Sequence, residues 1–161
     1  MEHLHAYWRM EYIEGPKPDT TGQNPFLKAI ESGDDKASLI LYRGPTSFLI
    51  LNAFPYNAGH LLAMPYREVP ELSDLTPDER TDLMERLIQG QNILQRAIKP
   101  DGFNIGFNLG KSAGAGIPSH LHGHIVPRWS GDTNFMPVLG KTRVLPQSLD
   151  AMYDRLIQFV D

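Results

Sequence analysis

The chain has 161 residues, a formal net charge of −4 and no cysteine. Its length suits one domain with a sizeable core, and 41% hydrophobic with 21% charged residues is typical of a globular protein. The lack of cysteine excludes disulfides and thiol nucleophiles, and the acidic balance argues against a nucleic-acid surface. No apolar run has the length of a membrane span or signal peptide, so we expect a cytoplasmic protein that binds neither nucleic acid nor membrane.

The first half of the chain predicts an irregular arm followed by a β-meander. Residues 1–36 are expected to form an irregular N-terminal arm, because residues 14–35 are rich in Gly, Pro, Asp and Thr. The composition then changes to β-branched and aromatic residues, which predicts strands at 37–42, 46–53 and 60–65. Such closely joined strands pair in antiparallel fashion, with a hairpin turn at Arg43-Gly44-Pro45.

A long helix has the clearest start signal in the sequence. Thr76 at the N-cap, Pro77 at the first helical position and Glu79 at the third form a capping box. The helix is expected to end near Ile98, because Lys99-Pro100-Asp101-Gly102 cannot continue it. Helical spacing predicts an inward face made of Leu83, Leu87, Ile88, Leu94 and Ile98.

Two more strands and a final helix complete the predicted elements. A strand at 103–109 and a glycine-bearing loop at 110–119 precede a strand that begins at His120. The amphipathic segment 149–160 predicts a C-terminal helix, with an inward face of Met152, Tyr153, Leu156, Ile157 and Val160. The sequence therefore predicts an α+β fold with an antiparallel sheet of about five strands, one long helix and one C-terminal helix.

Three histidines at strict alternation, His120, His122 and His124, are the most informative feature of the chain. Successive side chains of a strand point to opposite faces, so these three imidazoles are expected on one face. On a helix they would be spread by about 100° each. Half of the six histidines fall within five positions, which predicts a catalytic site.

Two chemistries suit three imidazoles on one strand. Three neutral histidines can bind Zn²⁺, but the first and third would stand about 13 Å apart along a strand, which is poor geometry for one ion. The central imidazole can instead act as a nucleophile at phosphorus, because a pKa near 6.5 leaves it largely neutral at cellular pH. The loop Gly110–Gly116 could then supply backbone amides that cradle the phosphate.

The histidine segment and its surroundings resemble the histidine triad (HIT) superfamily, whose motif is His-x-His-x-His followed by two apolar residues. The match rests on residues 120–128, on the preceding Asn108-Leu109-Gly110 and on residues 51–62. Residues 128–138 and 142–147, with Trp8 to Ile13, resemble one bacterial branch of this superfamily, that of the mycobacterial diadenosine tetraphosphate phosphorylases. The resemblance implies a single HIT-like domain over 1–161, with its core at 37–129 and a C-terminal extension at 130–161.

The resemblance also implies catalytic roles. His122 would attack the α-phosphorus and form a covalent nucleotidyl-histidine. His124 would lie near the phosphate oxygens and the leaving group, and His120 would hold the local hydrogen-bond network. His60 would orient the central imidazole.

Substrate-binding residues are implied in the same way. Asn52 would bind the ribose and Asn108 an α-phosphate oxygen. Gly114 and Gly116 belong to the amide cradle, and Ser119 or Ser112 would supply a loop hydroxyl. The base would be enclosed by Leu51, Phe54 and Leu61.

The sequence departs from the family at two places. Many members carry Gln-Ser or Gln-Thr before the triad, where the hydroxyl assists the leaving group, but this chain has Ala115-Gly116-Ile117 there. The choice between hydrolase and phosphorylase therefore stays open. Members of the branch also often carry a zinc-binding Cys-x-x-Cys, which is replaced here by Asn24-Pro25-Phe26-Leu27. The pair His3 and His5 copies half of the triad and is interpreted as incidental.

The predicted function is cleavage of a dinucleoside polyphosphate such as diadenosine tetraphosphate, with inorganic phosphate or water as the acceptor. No metal is required in the chemical step, and Mg²⁺ is only an optional companion of the substrate. The family is commonly dimeric, so a homodimer is expected. The alternatives are a phosphoramidate or mononucleotide hydrolase of the same family, a nucleotide-binding regulatory protein without turnover, a zinc-dependent hydrolase and a sugar-1-phosphate nucleotidylyltransferase.

Overall fold

The computed structural model describes residues 24–135, 139 and 146–161, which form one five-stranded antiparallel sheet and three α-helices. This is the α+β arrangement that the sequence predicts. The helices are α1 (Pro25–Glu31), α2 (Pro77–Ile98) and α3 (Leu149–Leu156). The strands are β1 (Ile40–Arg43), β2 (Ser47–Leu51), β3 (Leu61–Pro65), β4 (Gly102–Phe107) and β5 (Gly123–Arg128).

The histidine-bearing strand β5 lies inside the sheet, whose order is β1-β2-β3-β5-β4. The first three strands form the predicted meander, and α2 then carries the chain across to β4 at the edge. The chain returns as β5 between β3 and β4, with Leu62 opposite His124 and Leu61 opposite Ile125. Strand β5 is therefore held by neighbours on both sides.

Most predicted boundaries agree with the structure. Thr76 caps α2 through a complete capping box, and the side chain of Glu79 also accepts two hydrogen bonds from Arg67. These bonds lower the pKa of Glu79 to about 2, so the carboxylate that holds the helix start stays charged. None of the helices in the described part of the chain is both long and apolar enough to cross a membrane.

Two predictions about these elements are wrong. Residues 25–31, expected to be irregular, form α1, because Asn24 caps the helix and Pro25 occupies its first position. Ile88 is 45% exposed, although it was expected in the core, and Ile93 is buried instead. The buried face of α2 follows the spacing of Gly90, Leu94 and Ala97, which turns Ile88 towards solvent.

The two faces of the sheet have different partners. One face packs against α2 and α3 in the main core, which includes Leu49, Leu51, Leu61, Leu121 and Ile125. The opposite face carries Ile40, Phe48, Ile50, Leu62 and Met64, against which Phe26, Ala29 and Ile30 of α1 pack. Side chains of a strand alternate between these faces. His124, adjacent to Ile125 and opposite Leu62, therefore belongs to the α1 side.

A glycine sets the distance between α2 and the sheet. A Cβ atom at Gly90 would lie 2.5 Å from Ile125 Cδ1 and 3.1 Å from Leu49 Cδ1. Ile125 and Leu49 are completely buried, so neither side chain has open space to move into. Gly90 therefore allows the helix to approach the two strands closely.

We expect Gly90→Val to lower the free energy of unfolding by about 2 kcal/mol, because overpacking outweighs the gain in helix propensity. Urea denaturation followed by circular dichroism measures this change. Gly102→Val is the matched control, since nothing lies within 4 Å of a Cβ atom there. The control should change stability by less than about 0.5 kcal/mol. Equal losses in both variants would contradict the close-approach explanation.

Candidate active site

The three histidines were expected to lie in one strand, but the structure places only one of them in a strand. The ladder of β5 begins at Gly123, so only His124 belongs to it. His120 and His122 lie in the segment that leads into the strand, where the amide of His120 donates to Ile117 O and that of Leu121 to Val69 O. Bonds to these loop carbonyls replace the ladder, although the chain continues directly into β5.

The predicted alternation nevertheless holds across this segment. Leu121 and Ile125 are buried in the main core on the α2 side. The three imidazoles belong to the opposite side, and their residues are only 1%, 7% and 9% exposed. The rings of His122 and His124 are 5.1 Å apart between centroids. The three imidazoles of the triad are therefore almost completely buried, on the face of the sheet that α1 covers.

A backbone carbonyl fixes the protonation of His122. Its Nδ1 lies 2.7 Å from the carbonyl oxygen of His120. A carbonyl oxygen can only accept, so Nδ1 carries the proton and Nε2 of the neutral ring keeps its lone pair. His122 is therefore held as the tautomer in which Nε2 is the available nucleophile.

His120 is held by two partners. Its Nε2 lies 2.8 Å from the carbonyl oxygen of Pro65, so Nε2 carries the proton. Its Nδ1 lies 3.0 Å from Nδ2 of Asn24, which donates to the lone pair of the ring. The ring of Phe26 packs edge-on against His120 and also contacts His122. The start of α1 is thus part of the site.

His60 is hydrogen-bonded to His124, whose ring lies 5.1 Å from that of the central His122, and its role in orienting His122 stays a prediction. His60 is completely buried, with Nε2 3.0 Å from Nδ1 of His124. The backbone amide of Tyr56 donates to Nδ1 of His60 at 3.1 Å, and Asn52 Nδ2 lies 3.2 Å from the same atom. His60 must therefore carry its proton on Nε2 and donate it to His124.

This chain of donors decides the tautomer of His124. Because Nδ1 of His124 accepts from His60, its proton lies on Nε2. Asn108 Nδ2 is 3.4 Å from that nitrogen. A half-turn of the carboxamide places Oδ1 there as an acceptor. The ring of Tyr56 stacks on His124 at 5.4 Å, with 19° between the planes. His124 is therefore arranged to donate a hydrogen bond from Nε2.

Burial keeps all three triad histidines neutral. It lowers the pKa of His120 and that of His122 below the ordinary value of 6.5. The pKa of His124 is lowered to about 4, first by burial and then by the neighbouring His122. A neutral triad suits a nucleophilic role, since a protonated imidazole has no lone pair to use.

We expect the ring of His124 to titrate near pH 4 in the folded protein, in an NMR titration of imidazole resonances assigned with a His124→Gln variant. The unfolded chain takes up this proton near pH 6.5, so the contribution of His124 to stability is complete above pH 6.5. It is lost as the pH falls towards 4. The same ring in urea should titrate near 6.5. A folded-state midpoint near 6.5 would contradict the role of burial.

The loop before the triad offers fewer free groups than was expected. The amide of Gly114, where φ is +91°, donates to Lys111 O, and the amide of Ala115 lies in bonding distance of Gly110 O. Both amides are thus used within the loop. Gly116 lies in the same loop and is exposed. The predicted amide cradle is therefore only partly available.

Ser119 does not stand free as a loop hydroxyl. Its Oγ donates to Oε1 of Glu68 at 2.6 Å. This bond is the main cause that lowers the pKa of Glu68, with the nearby Asn24 side chain as a second cause, and it keeps Glu68 a carboxylate. Because the only proton of the Ser119 hydroxyl is used by Glu68, this serine is a poor source of a proton for a leaving group.

The expected base-enclosing residues are placed differently. Leu51 and Leu61 are at most 1% exposed and lie in the core against α2, away from the histidines. Phe54 is 77% exposed. The strand neighbours Ile50 and Leu62 belong to the histidine side instead, because one residue along a strand changes the face.

The structure adds site residues that sequence reasoning missed. Asn24 and Phe26 were considered only as the replacement of a zinc motif, and Tyr56 and Glu68 were not singled out. The N-cap signature of Asn24-Pro25 marked a helix start but not its contact with the triad. Among the described residues, no group of three or more His, Asp or Glu side chains is arranged to hold a metal ion. His3 and His5 lie outside the described residues.

The sequence and the fold of this chain are similar to those of known proteins. Residues 34–131 match the family model described as the HIT domain, which is more than half of the chain. The chain belongs to the HIT family. It is 38% identical over 155 residues to the AP-4-A phosphorylase of Mycobacterium tuberculosis, a match that covers 92% of this chain and 79% of that protein.

Two further similarities concern other branches of the family. The asymmetrical bis(5'-nucleosyl)-tetraphosphatase of Schizosaccharomyces pombe is 39% identical over 95 residues, covering 59% of this chain and 52% of that protein. The crystal structure of a hypothetical histidine triad nucleotide-binding protein from Sulfolobus tokodaii superposes with a TM-score of 0.69. That match has 22% identity and covers 85% of this chain and 91% of the other, so it supports the HIT fold alone.

Proposed function

We propose that this HIT protein cleaves a dinucleoside polyphosphate, most suitably diadenosine tetraphosphate, through a covalent nucleotidyl-His122. The observation that carries the proposal is the hydrogen bond from His122 Nδ1 to the carbonyl of His120, which leaves Nε2 as a lone-pair donor. The similarity to AP-4-A phosphorylase over 92% of the chain supports the substrate class.

The first step makes one bond and breaks one. Nε2 of His122 attacks the α-phosphorus, a P–N bond forms, and the bridging P–O bond breaks to release ATP from diadenosine tetraphosphate. The imidazole becomes positively charged because Nδ1 keeps its proton. The carbonyl of His120, which already accepts that proton at 2.7 Å, stabilises the charge.

The hydrogen-bonded pair His60–His124 stabilises the negative charge that develops on the phosphoryl oxygens. His124 is neutral and has its proton on Nε2, so it donates a hydrogen bond rather than a full proton. A polyphosphate leaves as an anion and needs no proton to depart. Asn108, beside the same nitrogen, is proposed to bind an α-phosphate oxygen.

The second step transfers the nucleotidyl group to an acceptor. We propose inorganic phosphate, whose oxygen attacks the α-phosphorus while the P–N bond breaks, giving ADP and regenerating His122. Water in the same place would give AMP. The longer match to the phosphorylase than to the tetraphosphatase supports phosphate. A cytoplasmic location is part of the proposal, because nucleotides and phosphate must be available.

The remaining substrate contacts are proposed from the resemblance to the family. Asn52 would bind the ribose, although its side chain already contacts His60 and accepts from the amide of Phe54. Gly114, Gly116 and Ser119 would line the phosphate path. Since the Gly114 amide and the Ser119 hydroxyl have partners in the protein, Gly116 is the better placed of the three for a backbone contact.

With diadenosine tetraphosphate and inorganic phosphate, we expect the protein to form ADP plus ATP, resolved by ion-exchange chromatography. His122→Ala should lower kcat by at least about 10³-fold, because the covalent route is lost. Without phosphate, the wild-type protein should release one equivalent of ATP and retain one adenylyl group, detected by intact mass.

The controls separate the possible reactions. Gln91→Ala, an exposed position on α2, should leave the rate unchanged. Formation of AMP plus ATP without phosphate would show that the protein is a hydrolase and not a phosphorylase. No cleavage and no adenylylation in either condition would overturn the dinucleotide assignment and favour the phosphoramidate hydrolase or the binding protein.

The homodimer stays a proposal and has a structural basis in the edge of the sheet. Within the described residues, β4 pairs only with β5, so its outer edge is open to another strand. Ile105 of β4 is 43% exposed, and Met84 and Ile88 of α2 are also exposed. An open strand edge with exposed apolar side chains is typical of surfaces that pair with a second chain.

We expect a solution mass of twice the 18.1 kDa chain by size-exclusion chromatography with light scattering. Ile105→Asp should shift this mass towards the monomer, because a charge on the edge strand opposes pairing. Ile105→Val is the matched control and should keep the dimer. A wild-type monomer at micromolar concentration would contradict the proposal.

A further inference from the structure

The side chain of Asn24 has two hydrogen-bond partners at the boundary between α1 and the triad. Its Oδ1 accepts from the amide of Phe26 at 2.9 Å, which caps α1. Its Nδ2 lies 3.0 Å from Nδ1 of His120. One amide therefore joins a helix start and the first triad histidine.

These partners leave the Asn24 amide one orientation. A backbone amide can only donate, so Oδ1 must face Phe26. Nδ2, a donor, then faces His120 and requires a lone pair on Nδ1 of that ring. On the other side of the ring, the carbonyl of Pro65 requires a proton on Nε2, at 2.8 Å. Asn24 and Pro65 thus demand the same neutral tautomer from opposite sides.

The position of His120 matters because its own carbonyl holds the nucleophile. That carbonyl accepts the Nδ1 proton of His122 at 2.7 Å. The first turn of α1 presses on both residues, with the Phe26 ring 5.5 Å from the His120 ring and 5.7 Å from the His122 ring. The hydrogen bonds that fix the His120 side chain therefore also help to hold the residue whose backbone oxygen orients His122.

We propose that Asn24 is a positioning residue, which holds His120 as the neutral Nε2-protonated tautomer and thereby keeps the His120 carbonyl on Nδ1 of His122. Asn24 itself touches neither His122 nor the reacting atoms. The effect on turnover rests on the proposed nucleophilic role of His122, whereas the effect on the His120 tautomer does not.

The groups around His120 make its protonation depend on which side chain stands at position 24. Glu68 favours protonation of the ring by its charge, and the neighbouring His122 opposes it. Burial outweighs the attraction of Glu68 and lowers the pKa of His120. Among the described residues, the Pro65 carbonyl and the Phe26 ring also contact His120, and neither can take a proton. An amide at position 24 donates a hydrogen bond to Nδ1, but a carboxylate there would instead accept a hydrogen bond from a protonated Nδ1.

Two substitutions separate the cap from the contact with His120. Asp and Ser are both good N-cap residues, so Asn24→Asp and Asn24→Ser should keep α1, as checked by circular dichroism. Asn24→Asp replaces the donor with an acceptor and should raise the pKa of His120 well above neutrality, so that the ring is protonated at pH 7. Asn24→Ser removes the donor without adding a charge. Ser148→Ala, which removes the N-cap side chain of α3, is the control for the loss of a helix cap alone.

The first readout is the nitrogen NMR spectrum of the histidine rings, which needs no substrate. In the wild-type protein, His120 should show a proton on Nε2 and none on Nδ1 at pH 7. In Asn24→Asp both nitrogens should carry protons at that pH. A wild-type His120 with its proton on Nδ1, or identical His120 spectra in the wild type and Asn24→Asp, would overturn the inference.

The second readout is the pH profile of adenylyl transfer from diadenosine tetraphosphate. We expect kcat of Asn24→Asp to fall about 10- to 100-fold at pH 6.5, with KM within about twofold, because misplacing a nucleophile mainly affects the chemical step. Raising the pH should restore much of this loss as His120 is deprotonated. Asn24→Ser should lose activity without that recovery, and Ser148→Ala should keep the wild-type kcat.

These outcomes distinguish the two proposals. If the wild-type protein does not cleave the dinucleotide while the NMR results are as expected, the proposed function fails and the tautomer control by Asn24 stands. If cleavage occurs but Asn24→Asp and Asn24→Ser both keep the wild-type kcat and pH profile, Asn24 has only a capping role.

Discussion

The hydrogen bond between Nδ1 of His122 and the carbonyl of His120 is the constraint on which the proposed chemistry depends. The proton of a neutral histidine ring can lie on either nitrogen in water, and only the tautomer with the proton on Nδ1 leaves Nε2 as the nucleophile. A backbone carbonyl cannot donate, so it decides between them without a charged partner. The bond to the carbonyl raises the pKa of the ring by less than burial lowers it, so the ring stays neutral, whereas the full charge of a carboxylate in that place would favour the protonated ring.

Backbone groups fix the protonation of the other buried histidines in the same way. The amide of Tyr56 sets His60, which sets His124, while the carbonyl of Pro65 sets His120. Each chain starts at a backbone group whose donor or acceptor character cannot change. Because these backbone groups are fixed by the sheet and its connecting loops, the sheet determines the protonation of the site as well as its geometry.

Local signals explain which elements could be predicted. The Thr76 capping box, the Gly44 hairpin and the alternation of the histidines each depend on a few neighbouring residues, and the structure confirms them. At the site, the contacts that could not be predicted join distant residues. The partner of His60 lies 64 positions away, and the contact between Asn24 and His120 spans 96 positions. Periodicity over a short window carries no information about such distances.

The sequence by itself determined the α+β class, the order of the five strands and of helices α2 and α3, the family, and the fact that the three histidines share one face. Tertiary structure alone decided that β5 starts only at Gly123, that α1 covers the triad, and which nitrogen of each imidazole carries a proton. The reason is physical: propensities and alternation act between neighbours, whereas burial and hydrogen-bond partners depend on which distant segments the fold brings together.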